Sequence, residues 1–219
     1  MTHAYWPILD LRLSTGDLVL TPLTEADLAE VIERLPGDVE LNPASTMFDV
    51  DTATQRGVVV HQEYWRYYGT WSAAAWRLNF AVRRGDELLG LQELEGNDFP
   101  TLRTVDSSSW LVTGARGSGT GKRMRRAVLA LAFGPLAARA AVTSAWHDNS
   151  ASLGVSRSIG YQPNGESLLA RGDGADTLVH LRMTREQWEA TGAAREVTIE
   201  GFDACRPFFG IGGIGGIGG

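Results

Sequence analysis

Three glycines at alternate positions, Gly117, Gly119 and Gly121, mark the part of this chain whose residue types best suit ligand binding. They fall in Arg116-Gly117-Ser118-Gly119-Thr120-Gly121-Lys122, after an apolar run at 110–112 and ahead of helical hydrophobic spacing over 122–133. A glycine turn that opens a helix aims backbone N–H groups outward, and the helix start adds unpaired donors and the positive end of its dipole. Such a turn suits phosphate or pyrophosphate, and glycine lets the anion approach the backbone. Three common phosphate or nucleophile signatures fail by position. A Walker A loop ending at Gly121-Lys122 needs glycine at 116 and Ser or Thr at 123, and both are arginine. A dinucleotide fingerprint needs glycine at 122 or 124, where Lys and Met stand. The esterase Gly-x-Ser-x-Gly elbow does not occur in the loop.

Charge distribution agrees with a compact anion. The 219 residues carry a net charge of −6, which argues against general attraction to nucleic acid. Yet residues 107–147 contain no Asp or Glu and hold six cations, Arg116, Lys122, Arg123, Arg125, Arg126 and Arg139. With 43% apolar and 21% charged residues, the composition excludes wholesale disorder. One cysteine, Cys205, and four scattered histidines offer neither a disulfide nor a zinc-type ligand set, so no metal is expected. No apolar run approaches a membrane span, and the first residues lack a signal-peptide pattern; a cytoplasmic protein without membrane attachment is expected.

The elements that must position the loop follow from periodicity. Residues 17–23 alternate as a strand ended by Pro22, and Thr24 caps a helix that Pro36-Gly37 stops. After a loop with Pro43, a longer helix is expected over about 52–71. Residues 78–83 and 88–94 read as a hairpin around Gly85-Asp86, and 104–112 as one further strand. Helices over 122–133 and 149–158 flank a strand at 141–146, and strands at 167–170 and 177–183 precede a short helix at 185–190. This order predicts an α+β fold with a mixed, mostly antiparallel sheet.

The pattern Arg-x-x-Gly-x-Gly between strand and helix resembles the acyl-CoA loop of the GNAT acyltransferases. Asn149-Ser150-Ala151-Ser152-Leu153-Gly154-Val155, closed by Gly160-Tyr161, is similar to the Asn-x-x-Ser-x-x-Val block of the RimJ/RimL-like branch, and Trp110-Leu111-Val112 to its Trp-Leu element. Trp6-Pro7, Asp10-Leu11-Arg12, Asp98-Phe99-Pro100, residues 105–111 and residues 201–207 extend the likeness, over about 6–210, to mycobacterial members that use succinyl-CoA.

The resemblance implies a GNAT fold over residues 1–209, with 210–219, a repeat of Gly-Ile-Gly, as a flexible tail. It implies an enzyme that transfers a succinyl or acetyl group from acyl-CoA to an amine by direct attack; a non-catalytic CoA-binding module of the same fold is the alternative. The backbone of Gly117, Ser118, Gly119, Thr120, Gly121 and Lys122 would cradle the pyrophosphate, with added charge from Arg116 and Lys122. Leu111 and Val112 would offer backbone groups to pantetheine, and Asn149 a side-chain hydrogen bond, alongside its natural role as a helix cap. Ser152 would assist the departing thiolate. Asp106 takes the place of the family's carboxylate base, with Glu93 and Glu95 as alternatives. The acceptor is expected between the first two helices and the sheet, near Tyr64, Tyr67, Tyr68, Trp71 and Trp76. A succinyl carboxylate would need Ser107, Ser108, Ser109, Arg103 or Arg77; the whole-chain likeness leans to succinyl, and the oligomeric state is left open.

Overall fold

The alternating apolar residues of 76–96 and their neighbours assemble into one ten-stranded sheet in the computed structural model, which describes residues 3–40 and 52–211. The loop with Pro43 and residues 212–219 of the expected tail lie outside the described residues. In chain order the elements are β1 (Arg12–Thr15), β2 (Leu18–Pro22), α1 (Leu28–Arg34), α2 (Ala53–Gly69), β3 (Trp76–Arg84), β4 (Glu87–Gly96), α3 (Phe99–Leu102), β5 (Thr104–Asp106) and β6 (Ser109–Leu111). Then follow α4 (Thr120–Phe133), β7 (Ala140–Trp146), α5 (Ser150–Ser158), β8 (Gln162–Arg171), β9 (Gly174–Thr184), α6 (Arg185–Thr191), β10 (Thr198–Glu200) and α7 (Phe202–Cys205). The strand order is β10-β1-β2-β3-β4-β5-β7-β9-β8, with β6 also paired to β4, and every pairing is antiparallel except β5 with β7. The architecture is therefore α+β with a mixed, mostly antiparallel sheet, as expected.

The period-2 alternation of β3 separates two faces. Leu78, Phe80 and Val82 join Leu94, Val105 and the buried side of α4 (Met124, Ala127, Val128, Leu131) in the main core. Ala81 and Leu88 turn the other way and meet Leu23, Leu28 and Val31 beside α1 and α2. Residues 201–209 pack back on the domain: Phe202, Cys205 and Phe209 are buried, and Trp71 Nε1 donates to the Phe208 carbonyl at 2.9 Å. Tyr161 is a core aromatic.

Three expectations change. The single strand expected over 104–112 is broken at Ser107-Ser108, because the Ser107 amide turns to the Asp106 carboxylate (2.6 Å) and leaves the ladder. The strands expected at 167–170 and 177–183 extend to 162–171 and 174–184; nearly all of β8 is exposed, so no hydrophobic alternation marked its length. Strands β1 and β10 and the short α3 were not foreseen.

The break has a topological consequence. β5 pairs in parallel with β7 from Thr104↔Ala140 to Asp106↔Val142, while β6 pairs only with β4. Beyond Val142, β7 pairs only with β9, so the facing edges of β6 and β7 part. Gly90 lets β6 approach β4: a Cβ there would lie 2.1 Å from the Trp110 carbonyl oxygen.

Candidate active site

The glycine turn sits at the mouth of this opening. Gly117 and Gly119 have φ of +74° and +82°, a region that favours glycine, and the space where a Cβ would stand is open at both. Gly119 precedes α4 as its N-cap, and no side chain caps that helix, whereas Thr52, Asn149 and Thr184 cap α2, α5 and α6. The Ser118 hydroxyl donates to the Ala115 carbonyl at 2.9 Å and lies 2.8 Å from that of buried Thr120, so both hydroxyls shape the turn from within. The outward donors are thus backbone N–H groups at the positive end of a 14-residue helix.

The positive run from Arg116 into the first turns of α4 is mostly matched by acids brought from elsewhere. Arg116 makes a bidentate pair with Asp38 (2.6 and 2.8 Å) and donates from Nε to the Leu111 carbonyl (3.1 Å). Arg123 pairs with Asp17 and Arg126 with Glu196. Lys122 is exposed and has no ion-pair partner among the described residues.

Backbone groups along β6 point alternately to β4 and to the opening. The Val112 amide donates to the Leu89 carbonyl and the Glu93 amide to the Ser108 carbonyl, each at 2.8 Å, so Ser109 and Leu111 are the residues whose backbone faces the opening. The contact of Arg116 with the Leu111 carbonyl agrees with this. Val112 spends both backbone groups within the protein, its carbonyl accepting from the Ala115 amide. Across the opening, α5 begins at Asn149, whose side-chain oxygen accepts from the Ser152 amide at 3.0 Å and leaves its NH2 group without a partner among the described residues. Ser152 is half-buried in the first turn of α5, and the two helices meet where Gly121 approaches Val155.

On the opposite face of the sheet lies a cavity of about 410 Å³ between α1, α2 and strands β3, β4 and β6. Tyr64, Tyr67, Trp110, Val31 and Val59 form its apolar walls, and Glu63, Arg77, Glu93, Ser108 and Ser109 its polar floor. Tyr68, Trp71 and Trp76 are not in its lining; they pack with Trp6, Phe99 and Phe209, and the Tyr68 hydroxyl donates to the Leu23 carbonyl. Arg77 is the hub of the floor. It ion-pairs with Glu95, lies 3.7 Å from Glu93 and 4.0 Å from Glu63, and donates to the Tyr67 hydroxyl at 3.0 Å. The Ser108 hydroxyl donates to Glu93 at 3.1 Å. Burial pushes the Glu93 carboxyl up to about 7; Arg77 pulls it down and Glu95 adds to the rise. Asp106 is raised to about 6, chiefly by burial, but its carboxylate is turned to the Ser107 amide and lies outside the cavity lining. Arg103 is also absent from the lining, its guanidinium lying over the Phe99 ring. Sequence reasoning gave Glu93 second rank; position 93 shares a face with 91 and 95, and the facing residue Asn79 is polar, which is the signal that a polar floor begins there.

The described residues contain no group of three His, Cys, Asp or Glu spaced to hold a metal ion, and no helix among them is long and apolar enough to cross a membrane.

The shape of the molecule is shared with solved proteins. RimJ of Mycobacterium smegmatis, in complex with CoA-disulfide, is 17% identical, with 85% of this chain and 97% of that one covered and a TM-score of 0.63. A chimera of the spermidine N-acetyltransferase SpeG from Vibrio cholerae and hSSAT is 14% identical, covering 80% and 99% of the two chains at a TM-score of 0.62. At these identities the likeness concerns the fold. The family follows from the sequence itself, because residues 17–162, from β2 to the first residue of β8, match the Acetyltransferase (GNAT) domain. The chain belongs to the GNAT acetyltransferase family, a class of acyl-CoA-dependent enzymes.

Proposed function

We propose that the protein transfers an acyl group from acyl-CoA to the amine of an acceptor seated in the acidic cavity, with Glu93 as the base. The observation that carries this is one adjacency: the cavity floor with Glu93 and the opening between β6 and β7 share Ser108-Ser109, so a thioester in the opening would lie against an amine in the cavity. The pyrophosphate would rest on the N–H groups of Gly117 to Gly121, that of Lys122 being given to the Gly119 carbonyl, and the amides of Ser109 and Leu111, with the NH2 group of Asn149, would meet the pantetheine. Arg116, held by Asp38, shapes this loop, and Lys122 is the cation left to meet a phosphate.

An amine attacks a thioester only as the neutral form, so a proton must be taken from it. A carboxyl whose pKa burial has raised to about 7 is matched to that task, since it is a stronger base than an ordinary glutamate and half-ionised near neutral pH. Tyr67, Tyr64 and Trp110 would hold the acceptor's apolar part so that its nitrogen points at Ser108-Ser109. The amine nitrogen bonds to the carbonyl carbon, the carbon–sulfur bond breaks, and the sulfur leaves as thiolate with Ser152 as hydrogen-bond donor. The proton released by the nitrogen goes to Glu93.

Acetyl is the group that the family description favours. Succinyl is a second reading, supported by the Arg77 guanidinium and the Ser108 hydroxyl in the cavity lining. Side-by-side kcat/KM values for acetyl- and succinyl-CoA with one amine, read as CoA thiol release and product mass, test both. A folded protein that binds CoA but turns over no amine of a broad panel would instead be a CoA-binding module.

A further inference from the structure

Arg125 is set apart from the other cations of α4. It is 3% exposed, whereas Arg123 and Arg126 reach the surface and pair with carboxylates. No carboxylate lies within ion-pair distance of it among the described residues. Its guanidinium is a fork across the opening: Nη1 donates to Thr143 Oγ1 on β7 at 3.2 Å, and Nη2 donates to Ser109 Oγ on β6 at 3.3 Å. Thr143 Oγ1 donates in turn to the Ser107 carbonyl at 2.9 Å, at the break in the strand. Arg125 Nε, Ser107 Oγ and the Tyr161 hydroxyl are buried together, close enough for Ser107 and Arg125 to act on the hydroxyl, and no other polar group among the described residues bonds any of the three atoms.

A buried cation whose hydrogen bonds go only to neutral hydroxyls, with the Asp106 carboxylate acting on it from beyond ion-pair distance, is costly, and a hydrophobic residue would fill the same stripe of α4 without that cost. The cost falls where two strand edges part and where Ser109 turns its backbone to the opening. We propose that Arg125 is a positioning residue for acyl transfer: it sets the spacing of β6 and β7, holds Ser107-Ser109 against the thioester carbonyl, and places a fixed positive charge behind the oxygen that becomes negative as the amine attacks. This rests on the acyl-transfer reading above.

The test uses acetyl-CoA labelled with 13C at the thioester carbonyl. With Arg125→Met, calorimetry is expected to keep the affinity for acetyl-CoA within about threefold, since the phosphate turn is intact. The infrared carbonyl stretch of the bound thioester, lowered by polarisation in the wild type, is expected to move back toward its value in water. For an amine that the wild type acylates, kcat is expected to fall about 30-fold with little change in KM, somewhat less than for loss of a direct oxyanion donor. Arg125→Lys, which keeps charge but not the fork, is expected to fall between. If Arg125→Met does not fold, Ser109→Ala removes one arm of the fork, and a several-fold loss of kcat with a shifted carbonyl stretch is expected from it. Variants that fold and bind acetyl-CoA with unchanged stretch and unchanged kcat would overturn the inference and leave Arg125 a structural residue. Failure of the wild type to bind acetyl-CoA would overturn the acyl-transfer reading itself.

Discussion

At Ser107–Ser109 the two faces of the sheet handle charge in opposite ways. On the cavity face, Glu63, Glu93 and Glu95 surround Arg77, and all four side chains keep some contact with solvent, between 15% and 34%. Charge there is shared: burial, Arg77 and Glu95 together set the ionisation of Glu93, which can gain or lose a proton near neutral pH. On the α4 face a single guanidinium is sealed among hydroxyls and the core. An arginine does not give up its proton in a protein, so charge on this face is permanent. A reaction that both moves a proton and develops negative charge needs one region of each kind, separated by a backbone layer so that the cation does not simply pair with the base.

The strongest way to break the comparison is to remove the donor, which both faces require. Gly119→Glu places a side chain at φ +82° and a negative charge at the helix start, and CoA affinity is expected to fall at least about 100-fold with a native far-UV spectrum. Unchanged affinity in a folded variant would sink the placement of the phosphates.

Next comes the titratable face alone. Glu93→Gln is expected to lower kcat by about 10²- to 10³-fold. The wild-type kcat/KM should rise with pH up to about 7 and then level, because Glu93 acts only after losing its proton, and the variant should lose this limb. Stability gives a check independent of activity. The folded carboxyl keeps its proton up to about 7, while the unfolded one ionises near the ordinary glutamate value of 4.5, so this group's contribution is present below the lower value and lost as pH rises through the window. Glu93→Gln should therefore raise Tm by a few degrees at pH 8 and leave it nearly unchanged at pH 4. An equal shift at both would mean that the carboxyl is not perturbed.

Smaller effects sharpen the boundary between the two regions. Ser152→Ala is expected to reduce kcat about tenfold while acyl-CoA KM changes little; intact turnover would return Ser152 to a plain helix serine. Asp38→Asn breaks the bidentate pair with Arg116, and since Asp38 is 63% exposed, CoA affinity should change about threefold or less. A tenfold gain would instead make Arg116 a phosphate ligand that Asp38 restrains.

Local chemistry explains which features could be read ahead of the structure. The glycine turn and the hairpin of β3 and β4 follow from residues adjacent in the chain: positive φ at Gly117 and Gly119, alternation about Gly85. The break at Ser107 depends on a carboxylate folding back on the next amide while a neighbouring strand takes the following carbonyl, and no periodicity reports that. The partners of Arg116, Arg123 and Arg126 come from distant positions 38, 17 and 196, so the run looked like one uniform positive patch. Arg125 was distinguishable in principle. It follows Gly121 by four positions and precedes Val128 by three, which places it on the buried stripe of α4 rather than on its wet face.

The seam between β1 and β10 bears on how the protein is made. Arg12 lies opposite Glu200 and Leu13 opposite Ile199, the first strand of the sheet joined to its last. During synthesis β1 therefore waits with one side unpaired until residues 198–200 have left the ribosome, and closing so long a loop is slow. Until then an exposed row of backbone donors and acceptors invites pairing with other chains, so a nascent or truncated form that lacks residues 198–200 should aggregate where the full chain does not.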